Sequence, residues 1–333
     1  MEIITLHKAA DLPESWDELA EDYFQTRVFL DHTEKYNACD QRYFLLYENE
    51  FLQAVAVIYS LKLNLLTYLS LNSAFRMNMA GIPCSVSASG LVGNRKYFQE
   101  LLDFIATSEK GFLLALNLEP NVEKGIMTQG RTLPTVVVTN RFNSWDDYLG
   151  SLRAPYRRRI RLLSSSFLAV RKKQMACSCF DGQMYRQYLE VLKRSKGKLE
   201  TLTIGFFQHL PPEFHLTALF YDEILIGWYI TVSFRGKLYF FLGGLDYTRN
   251  RKFNTYFNIL TEIVKEGIEK RATWIDLGQT AEIPKLRLGG KPVEKYMLGT
   301  HSNRFIRLCL KAGKNFLEYR FKWNENHVFK EFK

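Results

Sequence analysis

The chain has 333 residues, of which 47% are hydrophobic and 24% are charged, and its formal net charge at pH 7 is +10. These proportions are ordinary for a globular protein and exclude disorder, collagen-like repeats and low-complexity sequence as the main state. The length suits two domains better than one. The positive charge favours anionic partners, such as phosphate-bearing cofactors, nucleic acid or an anionic membrane surface, without choosing among them.

The cysteines and histidines favour neither a disulfide framework nor a metal site. The five cysteines are odd in number and sparse, and the one close pair, Cys177 and Cys179, lacks a second pair or a nearby histidine. The six histidines are scattered, with no pair at helical spacing. We therefore expect no bound metal.

The N-terminal residues carry early acids and lack both a basic segment and an apolar segment of the kind that signal peptides have. The longest apolar stretch, 51–71, is interrupted by polar residues and alternates like strands, whereas a spanning helix needs about 20 nearly unbroken apolar residues. We therefore expect a cytoplasmic, soluble protein.

In chain order, the first half predicts short helices, a hairpin, a further helix and two strands. These are helices from Pro13 and from Asp31 to Ala38, hairpin strands Tyr43–Tyr47 and Phe51–Leu61, a helix capped by Asn94, and strands Phe112–Leu116 and Thr135–Thr139.

The second half opens with a capping-box-like helix start at Ser144, followed by a basic helix predicted over 154–173, with Pro155 in its first turn. One face of this basic helix carries an apolar stripe from Tyr156 to Val170, and another carries arginines. The arginine face has two interpretations: contact with the phosphates of tRNA or anionic lipid, or the solvated face of a helix that joins two domains. The regularity of the apolar stripe favours the second.

The remainder predicts a helix, a second hairpin, a third strand, a basic loop, a helix, a last strand and a charged loop. In order these are Met184–Lys193, His215–Tyr221 with Ile224–Phe234, Leu238–Leu242, Tyr247–Lys252, Phe253–Ile268, Trp274–Leu277 and Gly278–Gly290. Both halves share the order helices, hairpin, helix, strand, and their hairpin turns read alike. The pattern predicts a duplicated α/β unit.

The segment from the third strand to the following helix can hold a phosphate, because a helix N-terminus presents unpaired N–H groups and partial positive charge. Arg249, Arg251 and Lys252 would add charge, and Gly243 and Gly244 would let a substrate approach the strand edge. The alternative interpretation is a solvated basic loop before an amphipathic helix.

This arrangement resembles the GNAT superfamily, specifically its duplicated, Fem-type (FemAB-like) branch of acyl and aminoacyltransferases, which has many bacterial members. The resemblance rests on Leu152–Arg161, Leu242–Asp246, Asn254–Lys270, Trp274–Thr280 and Lys285–Gly289, and Val28–His32 also fits. It implies an α/β fold of two tandem GNAT-like domains, 1–142 and 143–305, each a mixed, mostly antiparallel sheet flanked by helices, followed by a helical tail, 306–333.

The resemblance also implies direct transfer of an acyl or aminoacyl group to an amine. The usual acyl-CoA pyrophosphate loop has glycines where this chain has Lys252 and Asn254, and glycine there lets phosphate sit on backbone N–H groups. The donor therefore stays open among acyl-CoA, a carrier-bound acyl group and aminoacyl-tRNA, with no tightly bound cofactor. The acceptor would be an amine, for example on a cell-wall or lipid precursor.

Further site candidates follow the last strand. Lys285 is a candidate to stabilise the oxyanion or to anchor an acidic acceptor, with Gln279 beside it, and Arg287 and His301 are candidate substrate-binding residues. His301 is also a candidate for proton transfer. Tyr256, with Tyr247, flanks the donor loop and would protonate a leaving thiolate. Each candidate also has a purely structural interpretation: an ordinary charged loop, a structural histidine, or tyrosines that pack in the core.

Two functions of different classes fit the sequence. In the first, the chain is an N-acyltransferase in which strand N–H groups near Leu242 to Gly244 polarise the donor carbonyl and an amine attacks directly. In the second, it is a non-catalytic protein that binds nucleic acid or a membrane surface on a degenerate GNAT scaffold. The missing glycines and the positive charge favour the second, whereas the order of the motifs favours the first.

Overall fold

The computed structural model describes residues 1–63, 75–84, 86–120, 122–123, 125–195, 200–320 and 326–330. The chain forms two compact units: Met1–Pro134 with Glu294–Phe321, and Thr135–Val293 with Lys322–Lys333. The end of the predicted apolar stretch, 64–71, and parts of the predicted tail, 321–325 and 331–333, lie outside the described residues.

The strands of the described residues fall into two sheets. They are β1 Glu2–Leu6, β2 Arg42–Glu48, β3 Phe51–Leu63, β4 Phe75–Ala80, β5 Leu91–Gly93, β6 Phe112–Leu118, β7 Thr128–Arg131, β8 Thr135–Thr139, β9 Arg171–Met175, β10 Phe214–Tyr221, β11 Ile224–Phe234, β12 Lys237–Leu245, β13 Trp274–Gln279, β14 Lys291–Val293 and β15 Tyr296–His301.

The α-helices of the described residues flank these sheets. They are α1 Ser15–Leu19, α2 Arg27–Tyr36, α3 Phe98–Ser108, α4 Trp145–Ser151, α5 Ala154–Ser165, α6 Gly182–Arg194, α7 Ile204–Gln208, α8 Tyr247–Phe253, α9 Thr255–Glu269, α10 Glu282–Leu286 and α11 Arg304–Leu317.

The two sheets have the same topology. The first runs β1-β2-β3-β4-β6-β15-β7, with β5 beside β3, and the second runs β9-β10-β11-β12-β13-β8-β14. Along both paths every neighbouring pair is antiparallel except the fourth, β4 with β6 and β12 with β13, which is parallel. The predicted α/β class with two mixed sheets flanked by helices is thereby confirmed.

The hairpins β2–β3 and β10–β11 turn in the same way. Asn49 and Glu50 link the first pair and Asp222 and Glu223 the second, all with φ between 46° and 67°. Positive φ at both central residues is the requirement of a type I′ turn, whose twist matches that of the flanking strands. The similar hairpins in the sequence therefore reflect a shared turn geometry.

In each unit, one helix comes directly before the second strand of the parallel pair and covers the sheet. In the first unit, α3 buries Leu101, Leu102 and Ile105 against the sheet. In the second, α9 approaches β13 so closely that a Cβ on Gly267 would lie 2.4 Å from Ile275 Cδ1. Among the described residues, the buried apolar side chains form one cluster with α9 in the second unit, and two clusters, one of them with α3, in the first.

The units do not divide the chain where the sequence predicted, at 142/143 and 305. The strand Thr135–Thr139 pairs with β13 and β14 and so belongs to the second sheet. The strand Tyr296–His301 pairs with β6 and β7 and so belongs to the first. The helix α11, in the predicted tail, packs on β7 and β15. These pairings are non-local, which is why the boundaries differ from the prediction.

The predicted basic helix 154–173 is shorter than expected: α5 ends at Ser165, and β9 begins at Arg171. The cause is local, because Ser165 Oγ and Ser166 Oγ donate to the carbonyls of Leu162 and Leu163 over 2.7 and 2.9 Å and compete with the backbone.

Three helix starts test the capping predictions. Asn94 caps a 3₁₀ turn that leads into α3, as predicted, and Ser144 caps α4 by accepting from the Asp147 N–H. Asp31 does not cap α2. Thr26 does so, and Asp31 lies inside the helix, where it pairs with Lys35 over 2.5 Å.

Candidate active site

In the second unit, the two parallel strands at the centre of the sheet separate part of the way along. Their pairing ends at Tyr239 and Asp276, although β12 continues to Leu245 and β13 to Gln279. The ladder between β11 and β12 also shifts register at Phe241. Beyond Tyr239, the main-chain groups of β12 that face β13 are not part of a ladder between these strands. This opening is where a substrate carbonyl can meet strand N–H groups.

The turn after β13 has an unusual backbone. Gly278, Thr280 and Ala281 have φ values of 76°, 61° and 47°. Positive φ is a genuine outlier for a β-branched residue such as Thr280, and such strain persists only where surrounding contacts hold it. One contact is Asp276 Oδ1, which accepts from the Gly278 N–H over 2.7 Å.

Lys285 supplies a second contact from inside the protein. Its side chain is 1% exposed, on the short helix α10. Its Nζ donates to the main-chain carbonyls of Gly278 over 2.9 Å and Gln279 over 2.8 Å. An ammonium has three donors, so these bonds leave one for another acceptor. The structure thus places Lys285 and Gln279 in direct contact through the main chain.

The charge of Lys285 is weakened by its surroundings. Burial lowers the pKa of Lys285 to about 7, while the nearby carboxylates of Asp276 and Glu282 act in the opposite direction. Burial penalises the ammonium because the protein interior solvates charge poorly. Lysines whose pKa approaches neutrality are suited to proton transfer, and such shifts cluster at functional sites.

Tyr256 lies in the same electrostatic neighbourhood, in the first turn of α9. Burial raises its pKa, and the charges of Tyr247 and Glu282 raise it further. The Glu282 carboxylate therefore raises the pKa of both Tyr256 and Lys285. A phenol with a raised pKa stays protonated and is able to donate.

The predicted donor loop, Tyr247–Lys252, is helical and forms most of α8. Arg249 pairs with Asp246 over 2.6 Å. Lys252 Nζ lies 4.5 Å from the centre of the Tyr221 ring, and Arg251 is exposed. Two of the three predicted phosphate-binding cations thus have partners within the protein.

Asn254 joins α8 to α9 with a left-handed φ of 48°. Asparagine tolerates this conformation better than most residues, so Asn254 can occupy a backbone position that usually favours glycine. The adjacent Tyr256 N–H, which a phosphate would need, donates instead to Asn250 Oδ1 over 3.0 Å.

The two glycines of β12 have close neighbours. A Cβ on Gly243 would lie 3.0 Å from the Trp228 carbonyl oxygen, and one on Gly244 would lie 2.2 Å from the Trp228 indole nitrogen. Packing against Trp228 therefore explains why residue 244 is a glycine, and no bound ligand is needed to explain it.

The remaining candidates are Arg287 and His301. Arg287 is half-buried and directly follows α10, two residues after Lys285. His301 is on β15, in the first unit, and its Nδ1 accepts from the Asn303 N–H over 2.8 Å while its ring packs edge-on against Phe112. His301 thus belongs to the first unit and Lys285 to the second.

Sequence analysis missed Asp276 and Asn250. Asp276 stands two residues before a glycine at the end of a strand, which is the spacing of an Asx turn and a usable signal. The capping role of Asn250 gave no such signal, because it depends on the left-handed link at Asn254.

Among the described residues, no group of three histidine, cysteine or acidic side chains is arranged to hold a metal ion. Nor is any of the described helices both long enough and apolar enough to cross a bilayer.

No known family model matches the sequence, and no curated protein matches it significantly. Solved structures do resemble it. FemX aligns with a TM-score of 0.59 at 12% identity, covering 93% of this chain and 100% of its own. L-PGS from Bacillus licheniformis gives 0.51 at 11%, covering 86% and 94%. A tandem GNAT protein from the clavulanic acid biosynthesis pathway gives 0.50 at 9%, covering 91% and 98%. At these identities the likeness shows the fold alone, and it confirms the predicted one: the chain has a tandem GNAT fold of the Fem-like type.

Proposed function

We propose that the protein is an acyltransferase that moves an acyl or aminoacyl group from a thioester or tRNA-type donor to an amine by direct attack. The observation that carries this proposal is the separation of β12 from β13 beyond Tyr239 and Asp276, with a buried lysine of lowered pKa beside it. The separation supplies strand N–H groups, and the lysine supplies a donor in a site of low polarity.

In the proposed reaction the acceptor amine attacks the donor carbonyl carbon, a C–N bond forms, and the C–S bond of a thioester or the C–O bond of an aminoacyl ester breaks. Main-chain N–H groups of β12 near Leu242 polarise the carbonyl. The third N–H of Lys285 stabilises the oxyanion of the tetrahedral intermediate. Tyr256 protonates the leaving thiolate or alkoxide, solvent takes the proton that the amine loses, and solvent returns a proton to Tyr256.

Gln279 acts through its main chain in this proposal. Its carbonyl holds Lys285 Nζ over 2.8 Å, so it is a positioning residue. Arg287 is proposed to bind the acceptor from the end of α10. His301, which belongs to the first unit, stays a predicted substrate-binding residue.

The donor is proposed to be a co-substrate, with acyl-CoA, a carrier-bound acyl group and aminoacyl-tRNA as the classes to test. FemX and L-PGS share the fold. From this shared fold we propose that the acceptor is an amine-bearing cell-wall or lipid precursor.

The first step is to find a donor and an amine that support turnover, by measuring free thiol release from acyl-CoA or deacylation of aminoacyl-tRNA. The kinetics of Lys285 variants with these substrates then test the proposal. Losing one preorganised oxyanion donor lowers kcat by roughly 10²–10³. We expect that loss in Lys285→Ala and in Lys285→Met, which keeps the apolar stem. Lys291→Ala, at an exposed lysine of the same unit, is the matched control.

The kinetic parameters separate the possible outcomes. A fall in kcat and kcat/KM together supports oxyanion stabilisation, whereas a raised KM alone would make Lys285 an acceptor anchor. Folded Lys285 variants with the parent's kinetics for both substrates would remove Lys285 from the site.

A binding protein without catalysis is the second candidate, favoured by the exposed arginines Arg158, Arg159 and Arg161 on α5. Thermal unfolding separates the two, because a ligand that binds the folded state raises Tm. A rise with CoA or acyl-CoA supports the enzyme, and a rise with RNA or anionic lipid alone supports the binding protein.

A further inference from the structure

The helix α11 has a composition unlike the rest of the first unit. Over Arg304–Leu317 it carries two arginines and two lysines and no acid, and its remaining residues are mostly apolar. The charges lie on one side of the helix, and the exposed apolar residues lie on the adjacent side. Arg304, Arg307, Lys311 and Lys314 recur at three- and four-residue spacing and so share one side.

Part of the apolar side faces solvent. Phe305 is 72% exposed and Leu308 is 60% exposed. Cys309 and Ala312 are exposed as well, and the four positions follow the i, i+3, i+4, i+7 spacing of one helix face. This strip of Phe305, Leu308, Cys309 and Ala312, the α11 strip, is bordered by Arg304 and Lys311.

The helix does not depend on the α11 strip for its attachment. It packs on β7 and β15 of the first sheet, with Ile306 and Leu310 half-buried. Its start is fixed by Asn303, whose Oδ1 accepts from the N–H of Phe305 over 2.8 Å. The α11 strip is thus a preformed surface on a folded helix, and its exposure needs another explanation.

We propose that the α11 strip binds an anionic lipid surface. A helix with large apolar side chains on one side and only positive charges on the other is the type that lies in a membrane interface. The apolar side chains enter the acyl boundary while the adjacent cations remain at the phosphate level, and the long stems of arginine and lysine allow this. Nucleic acid would use the cations but not Phe305 and Leu308.

Another exposed aromatic shows why charge matters to this proposal. Phe51, on the β2–β3 hairpin of the same unit, is also 72% exposed, but it follows Glu48 and Glu50. Carboxylates beside an apolar side chain oppose approach to an anionic surface. Phe51 therefore provides a control of equal exposure and opposite charge.

Vesicle co-sedimentation tests this surface and needs no enzyme activity, so the result is independent of the proposed function. The probes are vesicles of equal parts phosphatidylglycerol and phosphatidylcholine, and vesicles of phosphatidylcholine alone. We expect the full chain to sediment with the anionic vesicles at low salt and to be released by added salt. Phe305→Glu with Leu308→Glu should weaken binding on the order of tenfold or more. Phe51→Glu should not change it.

Two further variants make the test specific. Lys311→Glu should weaken binding to the anionic vesicles and reduce its salt dependence. Leu168→Glu, at an exposed residue that follows α5 in the second unit, should have no effect. Circular dichroism and thermal unfolding verify that each variant is folded, which is expected because every substituted side chain is exposed or half-buried.

The proposal would be overturned by no binding of the parent to anionic vesicles at low salt, by equal binding of the Phe305→Glu/Leu308→Glu variant, or by a loss of binding in Leu168→Glu alone. The last would assign lipid contact to the region of α5. Binding of RNA that is insensitive to the glutamates at 305 and 308, without vesicle binding, would also reject the lipid surface.

Discussion

Gly244 lies against the ring of Trp228, so closely that a single methyl group on the glycine would come within 2.2 Å of the indole nitrogen. Trp228 cannot retreat easily, because it is fully buried and its Nε1 donates to the Met184 carbonyl over 3.0 Å. This contact ties β12 to the start of α6 through one large side chain. A glycine that the sequence offers as a ligand contact thus has a packing function.

We expect Gly244→Ala to lower the free energy of unfolding by about 1–3 kcal/mol, the usual cost of overpacking a dense core. Urea denaturation measures this. Gly150→Ala is the control, since nothing lies within 4 Å of a Cβ there and the residue is in α4, where alanine favours the helix. If both variants unfold at the same urea concentration, Trp228 is not the constraint on Gly244.

Burial of Lys285 predicts a pH dependence of stability. Its pKa falls from 10.5 in the unfolded chain to about 7 in the folded protein, so between these values the unfolded chain binds a proton that the folded protein does not. This residue's contribution to the free energy of unfolding therefore rises with pH across that window and is constant below it. Lys285→Met removes the effect.

The difference in unfolding free energy between the parent and Lys285→Met should accordingly change in favour of the parent as the pH rises from about 7 to about 10. Urea denaturation across this range measures the difference. A constant difference would mean that Lys285 remains an ordinary, charged lysine in the folded protein.

In the first unit, Arg42 and Glu109 form an ion pair whose side chains are 9% and 14% exposed. Arg42 Nε donates to Glu109 Oε1 over 2.6 Å, and Nη2 donates to Oε2 over 3.1 Å. Removing one member of such a pair leaves the other buried and uncompensated. Arg42→Met should therefore lower the free energy of unfolding by about 3–5 kcal/mol.

Arg171→Met provides the comparison, because Arg171 pairs with Glu223 on the surface, away from Arg42, and such pairs contribute about 0–1 kcal/mol. Denaturation of both variants under identical conditions decides the matter. Similar losses in the two would show that burial adds nothing to the Arg42–Glu109 pair.

The cations of α8 remain predicted to hold a phosphate-bearing donor. Replacing Arg249, Arg251 and Lys252 with alanine should weaken the binding of CoA and flatten its salt dependence, since fewer charges oppose the phosphates. Calorimetry at two salt concentrations measures both effects. Alanine at Arg158, Arg159 and Arg161 on α5 is the control with an equal change of charge. Unchanged CoA affinity in the folded α8 variant would reject this prediction.

Local patterns were enough to predict most of the fold's parts. The hairpin β10–β11 was predictable because two apolar, β-prone runs flank two polar residues, and α9 because its apolar positions recur every three or four residues. α8 was predicted as a loop because its residues Tyr247–Lys252 are polar and short of apolar periodicity. Its helix is fixed instead by Asp246, which caps the Thr248 N–H over 2.9 Å.

The site was less predictable than the fold for a related reason. Lysine is almost never fully buried without partners, so the sequence offers Lys285 as a loop cation and gives no sign of its burial. Its partners are main-chain carbonyls in a turn with positive φ values. The amino-acid types in the sequence do not indicate the position of these carbonyls or the φ values of the turn. The separation of β12 from β13 is likewise a property of pairing between segments distant in sequence.

The place of β15 in the first sheet has a consequence for how the protein is made. The strand β6, at Phe112–Leu118, acquires its neighbour only when residues 296–301 have left the ribosome, some 180 residues later at least. Until then β6 pairs with β4 along one edge, and its other edge is open. Open strand edges tend to pair with strands of other chains. The first sheet is therefore the last to be completed during synthesis, and chaperone demand should fall on nascent chains in which β6 has left the ribosome and β15 has not.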